Sequence, residues 1–166
     1  MAGTGQRKRF ALDSNVLIDL GERKNFAHTF LSAYKAQGLA VPPTVVQELT
    51  HLALELTSHP ASQFAYEALA NMRDWEIFPY DLKSVGHGIT EVDAQKLISK
   101  GLLPPEEFND GLIIIETALA CIPSLVTSDN HLLSINNAQL MRALGEFDLP
   151  PVSIFHPKDL IRAIKS

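Results

Sequence analysis

Arg9-Phe10-Ala11-Leu12-Asp13-Ser14-Asn15-Val16-Leu17-Ile18-Asp19-Leu20 reads as a short apolar strand, a carboxylate at its end, and a helix. The strand is predicted over Arg9 to Leu12 and the helix over Ser14 to Leu20, so Asp13 falls at the junction. The same alternation recurs down the chain. Further strands are predicted at Leu39 to Val41, Glu76 to Phe78, Leu125 to Thr127 and Val152 to Phe155. Helices are predicted over Phe26 to Gln37, Thr44 to Leu56, Ala61 to Met72, Thr90 to Lys100, Pro105 to Cys121, Asn130 to Leu144 and Pro157 to Lys165. Apolar residues at Phe26, Phe30, Leu31 and Tyr34 follow a 3.6-residue period. Thr44 with Gln47, and Thr90 with Asp93, have the spacing of N-capping boxes. Pro105 opens its helix, and Glu106 and Glu107 favour the helix dipole there. Pro and Gly mark loops at Ser58 to Ser62, Tyr80 to Gly88, Gly101 to Pro105 and Gly145 to Pro151. Strands separated by helices imply right-handed crossovers and an α/β fold: a three-layer α/β/α sandwich around a mainly parallel sheet.

In such sheets, sites form beyond the carboxyl ends of strands, near the point where strand order reverses. Four acids sit where that rule applies. Asp13 ends the first strand, and Asp129 lies just past the fourth. Glu48 is in the first turns of the helix after the second strand, and Asp110 is near the start of a helix. Taken singly, Asp13 and Asp129 read as N-caps and Glu48 as an exposed helix residue whose facing the sequence leaves open. Asp110 leads into Leu112, Ile113, Ile114 and Ile115, a largely buried helix, and a carboxylate there needs a partner. Carboxylates gathered at one edge would repel and take up protons, whereas a hard cation such as Mg²⁺ or Mn²⁺ prefers such oxygens. Such an ion lowers the pKa of a bound water, and a pair of ions can clamp the attacking and leaving oxygens of a phosphodiester.

The 166 residues are expected to form a single domain, with residues 1–8 a flexible tail. The net charge of −5 argues against a general nucleic-acid binder. Setting the four acids aside leaves fifteen acidic residues against fourteen Lys and Arg, close to balance. Cys121 is the only cysteine, which excludes an internal disulfide; it is expected to be a buried packing residue. No apolar run is long enough to span a membrane and no signal-peptide core stands at the N-terminus, so the expected location is cytoplasmic. His28, His51, His59, His87, His131 and His156 are scattered, without zinc-ligand spacing, and are expected mostly on the surface. No phosphate loop, dinucleotide fingerprint or nucleophile elbow is present.

Ala11-Leu12-Asp13-Ser14-Asn15-Val16-Leu17-Ile18-Asp19-Leu20, Val45-Val46-Gln47-Glu48-Leu49, Asn109-Asp110-Gly111-Leu112-Ile113-Ile114-Ile115-Glu116-Thr117-Ala118 and Leu125-Val126-Thr127-Ser128-Asp129 together resemble, in order, the four motifs of PIN-domain ribonucleases. That group includes VapC-like toxins of prokaryotic toxin–antitoxin pairs. The resemblance implies a five-stranded parallel sheet between helices and a Mg²⁺- or Mn²⁺-dependent endoribonuclease acting on RNA. It implies Asp13, Glu48, Asp110 and Asp129 as catalytic and metal-binding acids, with Ser14, Asn15 and Ser128 as supporting polar residues. An antitoxin partner and a homodimer are further expectations from the resemblance. The chain is longer than compact toxin members, and the excess falls around Phe78 to Leu103. RNA contact calls for a basic rim, for which Arg7, Lys8, Arg9, Arg23, Lys24, Lys96, Lys100 and Arg142 are candidates; aromatic residues are too sparse for a stacking platform.

Two other classes compete. One is a PIN-like module that binds metal or a partner without catalysis. The other is a receiver-like phosphotransfer protein, which also uses acids at strand ends. The latter needs an acidic pair near the first strand, where this chain has Ala11 and Leu12.

Overall fold

The computed structural model describes residues 9–165, apart from the side chains of 84–87 and 165. The expected flexible tail over 1–8, with Arg7 and Lys8, and the side chain of His87 lie outside the described residues.

Among the described residues there are five strands: β1 (Phe10–Leu12), β2 (Leu39–Val41), β3 (Ile77–Pro79), β4 (Ser124–Val126) and β5 (Ser153–Phe155). They form one sheet in the order β3-β2-β1-β4-β5, and every neighbouring pair is parallel. Each strand lies within one residue of its expected span. All residues of β1 and β2 are buried, as continuous apolar runs in a parallel sheet covered on both faces should be.

The helices are α1 (Ser14–Gly21), α2 (Asn25–Tyr34), α3 (Pro43–Leu54), α4 (Ser62–Asn71), α5 (Ser84–Ser99), α6 (Phe108–Leu119), α7 (Asn130–Leu133), α8 (Asn137–Glu146) and α9 (Pro157–Lys165). The chain steps outward from β1 through β2 to β3, then crosses back to β4 and out to β5. With right-handed crossovers, this reversal sets helices on both faces of the sheet. The switch point lies between β1 and β4, which end side by side with Leu12 opposite Val126.

Two glycines allow close approaches that shape the layers. A Cβ on Gly21 would lie 2.0 Å from the Phe64 carbonyl oxygen, so α1 and α4 meet backbone to backbone there. A Cβ on Gly111 would come within 3.1 Å of the Ala94 Cβ, so α5 seats tightly on α6 one residue past Asp110. Ile113, Ile114 and Ile115 are fully buried. Each contributes about 1.5–3 kcal/mol, so together they outweigh the roughly 1–3 kcal/mol cost of one buried carboxyl without a donor. Packing therefore holds α6, and Asp110 with it, in place.

Several local expectations are corrected. Thr44 does not cap α3: Pro42 holds the cap position, Pro43 follows, and Thr44 is buried inside the helix. Neither proline has an N–H, so the first donor of α3 belongs to Thr44. Thr90 is not the N-cap of α5, because the helix begins at Ser84 and Thr90 is buried within it. The glycines at 86 and 88 read as loop signals, yet both lie within α5, which packs on α6 further along, where Ala94 meets Gly111. The Tyr80 to Gly88 loop accordingly ends before Ser84. Asn130 to Leu144 divides into α7 and α8, with Asn136 capping α8 through the Gln139 N–H at 3.0 Å. Cys121 is exposed, not buried, and turns the chain after α6 with a φ of 58°.

Candidate metal centre

The end of β1 and the end of β4 are joined by a hydrogen-bonded lattice centred on Asp13, which is 2% exposed. Its Oδ1 accepts the Ser14 N–H at 2.7 Å, the geometry of an N-cap for α1. Its Oδ2 accepts the Thr127 hydroxyl at 2.8 Å and the Asn15 amide at 3.1 Å. The Asn15 amide also reaches Thr127 Oγ1 at 3.1 Å, and its Oδ1 accepts the Ser128 N–H at 3.0 Å. Thr127 Oγ1 in turn accepts the Asp129 N–H at 3.0 Å. Asn15 thus holds the site with its side chain, while Ser14 and Ser128 enter through backbone N–H groups, the Ser14 hydroxyl standing 3.5 Å from Asp13 Oδ1. Burial raises the Asp13 pKa; the hydrogen bonds from Thr127, Ser14 and Asn15 oppose that rise, and the charge of Asp129 adds to it.

Asp129 follows β4 and caps α7, with Oδ1 accepting the His131 N–H at 2.8 Å. His131 joins the site through this backbone contact.

The remaining acids come from α3 and α6, which pack against each other. Glu116, near the end of α6, is buried; its Oε1 accepts the Thr44 N–H at 3.0 Å and its Oε2 the Thr44 hydroxyl at 2.6 Å. It supplies in trans the cap that Pro42 and Pro43 deny to α3, and an anion there suits the helix dipole. This clamp sets the rotation of α3, and one turn further on Glu48 faces inward. Glu48 Oε1 is sealed from solvent without a hydrogen-bond partner. Burial, then the charge of Asp13, pushes the Glu48 pKa up to about 7; a hydrogen bond from Ser14 opposes this, and Glu116 and Asp129 add to it.

Asp110, 8% exposed, lies in the first turn of α6, and its Oδ2 is likewise buried without a partner. Burial raises its pKa well above the usual carboxylate range; the charge of Asp13, a side-chain hydrogen bond with Glu107, and the charges of Asp129 and Glu107 push the same way. Carboxylate oxygens of Glu107, Asp110 and Asp129 lie within 4.8 Å of one another. Among the described residues, no Lys or Arg forms an ion pair with any of these acids. The charges of Asp13 and Asp129 thus act on both Glu48 and Asp110, while the oxygens within 4.8 Å of one another are those of Glu107, Asp110 and Asp129, with Asp13 and Glu48 outside that group. The donor set is all oxygen, crowded and short of positive charge, which is what a hard divalent cation requires.

The proposed basic rim is partly engaged elsewhere. Lys24 pairs with Asp19 at 3.0 Å and Glu22 at 3.4 Å, Lys96 with Asp93 at 3.5 Å, and Lys100 with Glu146. Arg9, Arg23 and Arg142 are exposed.

No family model and no curated protein matches the chain. A solved structure does: a chain of VapBC2 from Rickettsia felis, crystallised bound to a DNA fragment from their promoter, aligns with a TM-score of 0.60 over 89% of this chain and 98% of that one. The fold is PIN-like. At 14% identity the likeness is one of fold alone.

Within this PIN-like fold, three participants escaped the sequence reading. Thr127 was present only as a neighbour in a motif, yet its hydroxyl joins Asp13 to Asp129. Glu116 lies two turns past Asp110 inside an apolar run, where a lone acid signals a buried partner. Glu107 and Glu106 are indistinguishable by residue type, and only the path of the chain separates them.

Proposed function

We propose that this chain is a divalent-metal-dependent endoribonuclease that cleaves RNA phosphodiester bonds. The observation that carries the reading is the pair of sealed carboxylate oxygens, Glu48 Oε1 and Asp110 Oδ2, in a pocket of acids that pairs with no cationic side chain among the described residues. The ordered resemblance to PIN-domain motifs supports it, and so does the PIN-like fold. Asp13, Asp110 and Asp129 would hold Mg²⁺ or Mn²⁺, with Glu48 completing the ligand set or orienting the attacking water. Such an ion, when bound, supplies an activated water and offsets charge on the phosphodiester oxygens. The protein's own contribution is placement. Ser14, Asn15 and Thr127 lock the Asp13 carboxylate, and the Glu116–Thr44 clamp holds α3 so that Glu48 faces it.

The VapBC2 likeness extends the proposal to the toxin of a toxin–antitoxin pair acting in the cytoplasm, with a small antitoxin as partner and a homodimer as its assembled form. A short upstream gene with a DNA-binding pattern would support that extension, and its absence would favour a stand-alone nuclease.

The decisive assay is cleavage of single-stranded RNA with Mg²⁺ or Mn²⁺. Asp13→Asn is expected to lose roughly 10²-fold or more in rate, the scale on which a displaced catalytic constellation fails. Equal rates for the two proteins, or no cleavage with any divalent ion, would overturn the reading. Mn²⁺ binding without turnover would identify a catalytically silent PIN-like module.

A further inference from the structure

We infer that Glu107 is a ligand of the divalent cation, sharing it with Asp110 and Asp129; the inference rests on the metal site proposed above. Glu107 was legible in the sequence only as a charge favourable to a helix dipole. In the structure it stands at the junction of a 3₁₀ turn (Pro105–Glu107) and α6, in the cap position, with φ −99° and ψ 34°. A residue there ordinarily turns its side chain back onto the first N–H groups of its helix. Glu107 makes no such bond, so its carboxylate is not engaged in capping α6. It lies three residues before Asp110, and positions three apart on a helical path share a face. The result is a triangle of carboxylate oxygens from Glu107, Asp110 and Asp129, all within 4.8 Å of one another.

The triangle alone would be only a cluster of acids. What points to a ligand is Asp110, more than nine-tenths buried, with an oxygen that no donor reaches. The three side chains differ in how they are held. Asp110 is fixed by the buried helix behind it, and Asp129 has Oδ1 tied to the His131 N–H. Glu107 is half-buried, as Asp129 is, and its longer side chain brings a carboxylate oxygen into the cluster. Its neighbour Glu106 has the same charge and length but is exposed and outside the triangle, and so provides an internal control.

The experiment is a calorimetric titration of the full chain with Mn²⁺ for wild type, Glu107→Gln, Glu106→Gln and Asp110→Asn, with thermal unfolding of each in EDTA to establish folding. Glu107→Gln should weaken Mn²⁺ binding by roughly tenfold or more, since even groups behind the ligands matter on that scale. Glu106→Gln should stay within about twofold of wild type, as loss of a distant surface charge allows. Glu107→Asp keeps the charge but shortens the reach, and should fall between wild type and Glu107→Gln. Wild-type affinity in Glu107→Gln alongside weakened Asp110→Asn would overturn the role of Glu107 and leave the metal site standing. Unchanged affinity in Asp110→Asn as well would overturn both.

Discussion

The two walls of the acidic pocket are built on opposite principles. On the strand side, Asp13 receives hydrogen bonds from Ser14, Asn15 and Thr127, and these tie the ends of β1 and β4 together. On the helix side, Glu48 and Asp110 each keep an oxygen sealed and undonated. The first wall is complete as folded. The second is held by packing from behind, through Ile113 to Ile115 and the Glu116–Thr44 clamp, with its polar front left for something else to satisfy. Satisfied and unsatisfied carboxylates within one pocket separate the groups that shape the site from those that need a partner.

The sharpest way to break this contrast is to supply the partner. Metal-free, Glu48 and Asp110 bind their protons more tightly folded than unfolded. Their contribution to stability is therefore full below their ordinary carboxylate range and lost as pH rises, the Glu48 part by about pH 7. A cation competes with those protons and takes over their role. Mn²⁺ at a hundred times its Kd should stabilise the protein by about 2.7 kcal/mol. At a fixed Mn²⁺ concentration the gain should be clear at pH 8 and much smaller at pH 5. Thermal unfolding with Mn²⁺ or EDTA at the two pH values checks this, and equal gains at both would place the ion elsewhere.

Damage to the strand wall should need no metal to be seen. Thr127→Val keeps the volume but removes the hydroxyl between Asp13 and the Asp129 N–H, leaving that N–H without its acceptor and Asp13 Oδ2 with the Asn15 amide alone. A loss of about 1–3 kcal/mol in denaturant unfolding is expected, with or without EDTA. A variant as stable as wild type would show that the lattice is not what joins the strand ends.

Glu116→Gln tests the backing of the helix wall. The amide can accept one Thr44 hydrogen bond but not both as a charged group does, and a cost of about 1 kcal/mol is expected. RNA cleavage should fall with it, because Glu48 depends on the setting of α3. Unaltered cleavage at reduced stability would confine Glu116 to structure.

The smallest effect belongs outside the pocket. Cys121 holds a left-handed φ of 58°, and Cys121→Gly should be neutral or stabilising by up to about 1 kcal/mol. Cleavage and Mn²⁺ affinity should not change.

The sequence carried the strand wall better than the helix wall, for a physical reason. An acid between an apolar run and a helix start has few places to go, so Asp13 and Asp129 could be set at the sheet edge from local pattern alone. All five strands could be read from their apolar runs and flanking Pro and Gly. Helix rotation is a tertiary quantity. The facing of Glu48 depends on Glu116, far along the chain, and Thr44 looked like a cap because a threonine before an apolar helix usually is one. Two prolines and a remote carboxylate reversed that reading. Glu107 and Glu106 likewise differ only in where a 3₁₀ turn hands over to α6.

The Thr127–Asp13 bond spans 114 positions, and β4 can dock on β1 only after the β1–β2–β3 half has formed its own pairs or while that half waits with an open edge. The contact between the β1 and β4 ends is therefore expected to form late in folding. Contacts made that late govern escape from the native state more than entry into it. A bound ion should accordingly slow unfolding while leaving the refolding rate nearly unchanged, making the pocket a latch on the finished protein instead of a seed for it.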